Sequence, residues 1–211
     1  MKPFYDSDGV TIYHADCADI EAPADADLLL TDPPYGIALD TDYRRFKDGS
    51  RHRTVENDAE PFDPKRLLSF PCRKVIWGAN HFYGKLPTGG TWIVWDKILT
   101  NDITRPFAAG EMAWSTAGGK NVEIFRHMWN GAYRDSERNL FSHPTQKPVA
   151  LMRWVLERWT EPGDLIFDPY MGSGPIAQAC YETGRRYIGV EIVEEYCETA
   201  VKRLAQQVLS F

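Results

Sequence analysis

An apolar run that stops abruptly at Asp32-Pro33-Pro34-Tyr35 is the feature that most restricts how this chain can fold. The run covers residues 26–31 and predicts a buried strand. Proline fixes φ and has no N–H, so the following turn can neither continue as a helix nor pair as a strand. It leaves a carboxylate, an aromatic ring and a rigid carbonyl at the rim of a sheet. These groups suit a planar substrate with an exocyclic NH2, although a proline-rich strand terminator has the same pattern.

A glycine-rich turn follows a second apolar run, Leu165-Ile166-Phe167-Asp168. Gly172 and Gly174 stand between this predicted strand and a helix, where glycines let a ligand approach the backbone and the helix N-terminus. The next apolar run ends in Glu191, at the place where an acid can bind ribose hydroxyls. Gly-x-Gly alone is weak evidence, but the order strand, Gly-x-Gly, helix, strand, acid predicts a nucleoside cofactor.

Three ordered motifs resemble those of the amino-methylating DNA methyltransferases, which use S-adenosylmethionine to methylate adenine N6 or cytosine N4. They are residues 32–35, residues 143–148 (His-Pro-Thr-Gln-Lys-Pro) and residues 168–174 (Asp-Pro-Tyr-Met-Gly-Ser-Gly). Because the catalytic motif precedes the cofactor motif, the chain resembles the circularly permuted β class. The resemblance covers nearly the whole chain. Tyr170 stands where the family usually has Phe, and Pro175 where it usually has Thr.

The resemblance implies an adenine-specific DNA methyltransferase that transfers the methyl group directly, without a covalent enzyme intermediate. Asp32 and the Pro33 carbonyl would accept both hydrogens of the amino group of a flipped adenine, which stacks on Tyr35. The catalytic residues so implied are Asp32, Pro33, Pro34 and Tyr35. The cofactor-binding residues so implied are Asp16, Thr145, Lys147, Asp168, Tyr170, Gly172, Ser173, Gly174 and Glu191.

Two of these residues also have simpler interpretations. Asp16 resembles the family acid that contacts the cofactor adenine, and it equally fits a turn or helix cap. Thr145 and Lys147 are implied donors to the methionine carboxylate. Lys147 is alternatively an exposed lysine at a helix start, where a cation is not favoured.

Composition restricts the size and setting of the fold. A chain of 211 residues with 43% hydrophobic content suits one sizeable domain, residues 1–211, and would be cramped as two. The four cysteines show no metal-binding spacing, and no run approaches the roughly 18 apolar residues of a membrane span. We therefore expect a cytoplasmic protein that binds neither metal nor membrane. The net charge of −6 argues against indiscriminate nucleic-acid binding but allows a local basic groove.

Apolar runs and helical periodicity alternate along the chain, as in a doubly wound α/β protein. Helices are predicted after Pro148, after the glycine turn and from Glu194. The resemblance implies a mostly parallel, seven-stranded sheet of the Rossmann-like methyltransferase type, with long loops. Both motifs then lie at the carboxyl ends of strands, where such sheets bind ligands. Strands are predicted near residues 10–14, 26–31, 74–78, 91–95, 111–114, 122–125, 165–168 and 187–190.

Two stretches are predicted to be loops that contact DNA. Residues 37–71 form a basic loop on the catalytic side, with aromatics among its charges, which suits phosphate contact and base stacking. A solvated charged loop has the same composition. Residues 117–142 correspond to the target-recognition segment of the family and are short for it. We expect a short recognition site, or help from the first loop and from a second subunit of a homodimer. The candidate DNA-binding residues are Arg44, Arg45, Lys47, Arg51 and Arg53.

Other activities fit the motifs less well. RNA or ribosomal guanine methyltransferases usually place the cofactor motif first, and protein-glutamine methyltransferases typically have Asn at the position of Asp32. A non-catalytic DNA-binding module would have no need of Asp32, Tyr35 and Glu191. Cytosine-N4 enzymes typically carry Ser at the position of Asp32, so adenine is favoured. That preference is statistical, because both amino groups satisfy the same acceptors. The recognised sequence and a restriction–modification, orphan or phage role stay open.

Overall fold

A computed structural model describes residues 1–38, 58–98, 108–130, 133–136 and 146–208 of the chain. Nine strands of this part form one sheet, in the order β1-β2-β11-β10-β3-β4-β6-β5-β7. Its strands are β1 (Tyr5–Ser7), β2 (Val10–His14), β3 (Leu28–Thr31), β4 (Arg73–Trp77), β5 (Thr91–Asp96), β6 (Gly110–Ser115), β7 (Val122–Arg126), β10 (Leu165–Asp168) and β11 (Arg186–Glu191). Two further strands, β8 (Trp129–Asn130) and β9 (Tyr133–Arg134), pair separately.

Most of the sheet is parallel, as expected. β2, β11, β10, β3 and β4 are consecutive parallel neighbours. β6 runs antiparallel to both β4 and β5, while β7 is parallel to β5. The carboxyl ends of β3, β10 and β11 therefore share one edge of the sheet with the amino end of β6.

The predicted α/β class is confirmed. The described sheet has nine strands, whereas the family resemblance implied seven and the sequence patterns predicted eight. The strand without a predicted counterpart is β1, an edge strand antiparallel to β2. Its three residues are mostly exposed, so it has no apolar run by which a sequence pattern could reveal it. The stretch 117–142 contains the predicted strand β7 and also the short strands β8 and β9, which were not predicted. Residues 37–71 contain a short helix.

Four α-helices occur in the described residues: α1 (Lys65–Ser69), α2 (Val149–Trp159), α3 (Pro175–Thr183) and α4 (Glu194–Val208). Pro175 occupies the first turn of α3, where its missing N–H costs nothing. Gly184 ends α3 at φ 70° and donates its N–H to the preceding turn. None of the described helices has the length and apolar character that a membrane crossing requires.

The two faces of the sheet carry separate apolar clusters. On one face α2, α3 and α4 pack on residues such as Leu28, Leu30 and Val75. On the other face Leu29 and Ile76 belong to a cluster with residues of α1 and the segment that follows β4. β3 is therefore buried on both sides, which explains its uninterrupted apolar sequence. This burial fixes the point at which the chain turns at Asp32.

Candidate active site

Asp58 holds the turn that follows β3. Its Oδ1 accepts the N–H of Gly36 at 2.7 Å, and its carbonyl accepts the N–H of Ala38 at 2.8 Å. Gly36 adopts φ 72°, and a Cβ there would come within 2.3 Å of the carbonyl oxygen of Glu60. The turn thus needs glycine at this position.

Lys147 lies between two carboxylates that are far apart in sequence. Its Nζ is 2.5 Å from Asp32 Oδ2 and 3.0 Å from Glu111 Oε2. It also donates to the hydroxyl of Tyr35 at 2.9 Å, which in turn donates to Asp32 Oδ1 at 2.7 Å. Lys97 forms a further ion pair with Glu111. We call these five residues, Asp32, Tyr35, Lys97, Glu111 and Lys147, the charge cluster.

The position of Lys147 differs from the one implied by the family resemblance. An ammonium group has three N–H donors, and those of Lys147 are directed at Asp32, Tyr35 and Glu111. This arrangement leaves no donor for the carboxylate of a cofactor. Nor is Lys147 an exposed lysine at a helix start, because only 3% of its side chain is exposed.

The reversed direction of β6 explains how Glu111 reaches the charge cluster. Because β6 is antiparallel to its neighbours, its second residue lies at the edge where β3, β4 and β5 end. Glu111 is paired in register with Trp95, two residues before Lys97. Glu111 and Lys97 could not be predicted from the sequence, since an apolar pattern predicts a strand but not its direction.

The charge cluster shifts the pKa of its members. Burial raises the pKa of Asp32, and the positive charge of Lys147 opposes the rise. For Glu111, burial would raise the pKa, but the charges of Lys147 and Lys97 outweigh it and lower the pKa to about 2. Burial would lower the pKa of Lys147, but Asp32 and Glu111 outweigh it and raise the pKa. Lys147 and Glu111 are therefore both charged at neutral pH.

The Tyr35 ring is stacked on an imidazole. The centroids of Tyr35 and His81 are 4.9 Å apart, with 15° between the planes. His81 is exposed and belongs to the short 3-10 helix after β4. Gly78, at φ 69°, leaves the space for the ring, since a Cβ there would lie 1.9 Å from a Tyr35 carbon. His81 therefore covers one face of the Tyr35 ring.

The glycine-rich loop between β10 and α3 combines open space with close packing. A Cβ at Gly172, φ 56°, would meet no atom within 4 Å, whereas one at Gly174, φ 79°, would lie 2.6 Å from the Cβ of Ala200. Between them, the buried Ser173 Oγ has no hydrogen-bond partner among the described residues. Buried hydroxyls normally have one. The loop therefore offers a free hydroxyl beside a backbone that a ligand can approach.

Glu191, at the end of β11, ties this loop to the next turn. Its Oε2 accepts the N–H of Gly172 and its Oε1 the N–H of Val193, both at 2.8 Å. Burial raises the pKa of Glu191, and these two N–H groups oppose the rise. Each carboxylate oxygen can accept a further hydrogen bond, so the residue can still bind hydroxyls.

Asp168 is fully buried at the end of β10. Its Oδ1 accepts from the Thr31 hydroxyl at 2.7 Å and from the Tyr170 N–H at 3.2 Å. Its Oδ2 accepts from the Tyr187 hydroxyl at 2.9 Å. Burial raises the pKa of Asp168 to about 7, against the effect of these donors. The Asp168 side chain thus lies in the core, whereas the family resemblance implied that it contacts the cofactor.

Asp16 follows β2 at the same edge of the sheet. Its Oδ1 accepts the N–H of Ala18 at 2.8 Å, so the predicted cap is confirmed. Arg66 of α1 donates to the carbonyls of Cys17 and Ile20, which connects this turn to α1. The exposed carboxylate of Asp16 stays within reach of ligands at the edge.

Comparison with known proteins shows the family to which this chain belongs. A family model described as DNA methylase matches residues 107–202. The chain is 43% identical over 210 residues to the Escherichia coli K12 protein named "Putative methylase YubD", with 90% of this chain and 88% of that protein covered. The chain belongs to the DNA methylase family. It is also 24% identical over 247 residues to the type II methyltransferase M2.LlaDCHI of Lactococcus lactis subsp. cremoris, with 96% and 92% covered.

Solved structures agree with the fold of this DNA methylase. The M1.HpyAVI–SAM complex matches with a TM-score of 0.55 and 23% identity, covering 92% of this chain and 98% of that one. PvuII DNA methyltransferase, which is cytosine-N4-specific, matches with a TM-score of 0.62 and 15% identity, covering 96% and 88%. At these identities the similarity concerns the fold.

Several predicted residues of the methylase lie outside the described part of the chain. They are Thr145 and all five candidate DNA-binding residues, Arg44, Arg45, Lys47, Arg51 and Arg53. Within the described ranges, no group of three His, Cys, Asp or Glu side chains could hold a metal ion.

Proposed function

We propose that this DNA methylase transfers the methyl group of S-adenosylmethionine to the exocyclic N6 of a flipped adenine in DNA. The proposal is carried by the position of two turns. The turn at Asp32 and the loop at residues 168–174 follow β3 and β10, which are parallel neighbours in the sheet. This neighbourhood supports Asp32 as the proposed acceptor for the amino group and the loop as the proposed cofactor site.

The residues at the ends of β2, β10 and β11 fit S-adenosylmethionine. Ser173 supplies a buried hydroxyl without a partner in the described chain, and Gly172 leaves space in front of the backbone. We assign the ribose hydroxyls to Glu191, the adenine to Asp16 and the methionine carboxylate to Thr145. Asp168 would shape the loop from within the core. When bound, the cofactor supplies a methyl group on a positively charged sulfur.

Asp32 acts on the amino group of the target base. The lone pair of this nitrogen is delocalised into the ring, which makes it a weak nucleophile. Hydrogen bonds from the two N–H groups to Asp32 and to the Pro33 carbonyl favour a tetrahedral nitrogen, whose lone pair can point at the methyl group. The contribution of the chain is therefore positioning and alignment, which can supply several kcal/mol. The methylated nitrogen is acidic enough to lose its proton without a strong base.

DNA must present the base outside the helix, because a duplex hides the amino group. Stacking on Tyr35 would recover part of the few kcal/mol that unstacking costs. We assign phosphate contacts to the basic residues of the stretch 37–71, which support the proposal by composition alone.

The test is to identify the methylated nucleoside. The full chain is incubated with labelled S-adenosylmethionine and with unmethylated DNA or RNA, and the nucleic acid is digested and analysed by mass spectrometry. We expect N6-methyladenine in DNA, and none with Asp32→Ala. Detection of N4-methylcytosine instead would show that the enzyme methylates cytosine N4 and would contradict adenine as the target. Label found in RNA alone would contradict DNA as the substrate.

A further inference from the structure

The charge cluster holds more charge than an acceptor for an amino group requires. Beside Asp32 it contains Glu111, Lys97 and Lys147, whose side chains are 25%, 16% and 3% exposed. Removing such groups from water costs several kcal/mol per ion, and well-packed apolar residues often stabilise a protein as well or better. Stability alone therefore gives little reason for the cluster.

Lys97 is held rigidly at the outer end of the cluster. The backbone N–H of Lys97 donates to the carbonyl of Ala109 at 3.0 Å, and the side-chain Nζ lies 4.4 Å from the ring centroid of Trp95. From this position it pairs with Glu111 Oε1, while Glu111 Oε2 faces Lys147. Each oxygen of Glu111 thus has its own cation, which leaves the carboxylate one orientation.

We infer that Glu111, held by Lys97, is a positioning residue that acts on Asp32 through Lys147. The inference rests on the proposed methyl transfer at Asp32. Because Glu111 takes one of the three N–H groups of Lys147, it directs the others at Asp32 and the Tyr35 hydroxyl. Without Glu111 the ammonium group can turn, and the Asp32 carboxylate loses its fixed direction. Lys147 then serves the part of the site that receives the amino group, and not the part that binds the cofactor.

The kinetic test compares kcat with cofactor affinity. We expect Glu111→Gln to lower kcat by about 30-fold, in the range seen when a preorganised polar group is lost. The dissociation constant of S-adenosylmethionine should stay within about threefold, since the contacts of Glu111 with described residues are to Lys97, Lys147 and Tyr35 and not to the glycine-rich loop. An unchanged kcat, or an equal loss of cofactor affinity, would overturn the inference.

Substitutions of Lys97 give a second test, with a smaller expected effect on kcat. Lys97→Met should lower kcat by about tenfold and Lys97→Arg should restore most of it, because either cation can pair with Glu111. The double variant Glu111→Gln, Lys97→Met should be no slower than Glu111→Gln, since Lys97 acts through Glu111. If the two substitutions lowered kcat additively, the inference that Lys97 acts through Glu111 would be overturned. The matched control is Asp96→Asn, next to Lys97, whose carboxylate contacts Arg126 and the Ile98 N–H.

An NMR titration of the Lys147 ammonium group makes the test independent of turnover. Removing the charge of Glu111 should lower the pKa of Lys147, whereas Asp96→Asn should leave it unchanged. Equal Lys147 pKa values in wild type and Glu111→Gln would overturn the inference. A wild type that methylates no nucleic acid would instead refute the proposed function, and the titration would still decide the role of Glu111. If Glu111→Gln does not fold, Lys97→Met is titrated in its place.

Discussion

Two Asp-Pro turns end neighbouring parallel strands of this sheet, and their carboxylates are held in opposite ways. Asp32 is paired with a cation, Lys147. In the described part of the chain, the hydrogen-bond donors to Asp168 are neutral, and they include the hydroxyls of Thr31 and Tyr187. Neutral donors do not compensate for burial, so the pKa of Asp168 rises to about 7. The same dipeptide thus gives an ion-paired carboxylate, our proposed acceptor for the substrate, in one turn and a carboxylate within the core in the other.

The largest expected effect concerns Asp168 and the pH dependence of stability. Its folded-state pKa of about 7 exceeds the ordinary 3.8, so its contribution is fully present below pH 4 and is lost as the pH rises towards 7. For one group this loss is on the order of 4 kcal/mol. Asp168→Asn should flatten the fall in the free energy of unfolding over this range, measured by urea denaturation. Asp25→Asn, at an exposed site, is the control, and an unchanged slope in Asp168→Asn would contradict the comparison.

Asp32 should affect turnover more than cofactor binding. Asp32→Ala removes the proposed acceptor and should lower kcat by at least about 100-fold, roughly 2.7 kcal/mol. The affinity for S-adenosylmethionine should stay within about tenfold, because no hydrogen bond or ion pair of Asp32 with the described residues reaches the glycine-rich loop. Rapid-quench methyl transfer and calorimetry measure the two quantities. Turnover above about a tenth of wild type would remove Asp32 from the mechanism.

Variants of Glu191 test the proposed cofactor site, which lies beside the turn at Asp168. Glu191→Ala should weaken S-adenosylmethionine binding by at least about tenfold, the 1.4 kcal/mol expected for charge-assisted hydrogen bonds. Glu191→Gln keeps one acceptor for the Gly172 N–H and should fall between Glu191→Ala and wild type. Calorimetry that finds equal affinities in all three proteins would place the ribose elsewhere.

The smallest effect is expected at Tyr187, one of the donors to Asp168. Tyr187→Phe should cost about 1 kcal/mol at pH 8, where Asp168 is ionised and uses the hydrogen bond. The cost should be smaller at pH 4, because a protonated Asp168 depends less on a donor. Tyr181→Phe on α3 provides a control for the loss of a hydroxyl. Equal costs at both pH values would show that the ionised form of Asp168 does not depend on Tyr187.

Sequence patterns predicted the parts of this site that depend on local chemistry. The turns after β3 and β10, the helix start at Pro175 and the cap at Asp16 follow from neighbours in sequence. The ion pairs of Glu111 could not be predicted, because they depend on the antiparallel direction of β6. For the same reason the partners of Lys147 could not be predicted. The sequence around Asp168 also does not indicate that its side chain lies in the core. Contacts between distant segments decide these features.

Gly78 limits how this site can change by mutation. The Tyr35 ring fills the space where a side chain at position 78 would lie, and the positive φ there disfavours any other residue. A larger residue at position 78 becomes tolerable only after Tyr35 has been replaced by a smaller one. Directed evolution towards a different target ring would therefore have to change position 35 first. In libraries that vary only the segment after β4, most variants with a substitution at position 78 should fail to fold.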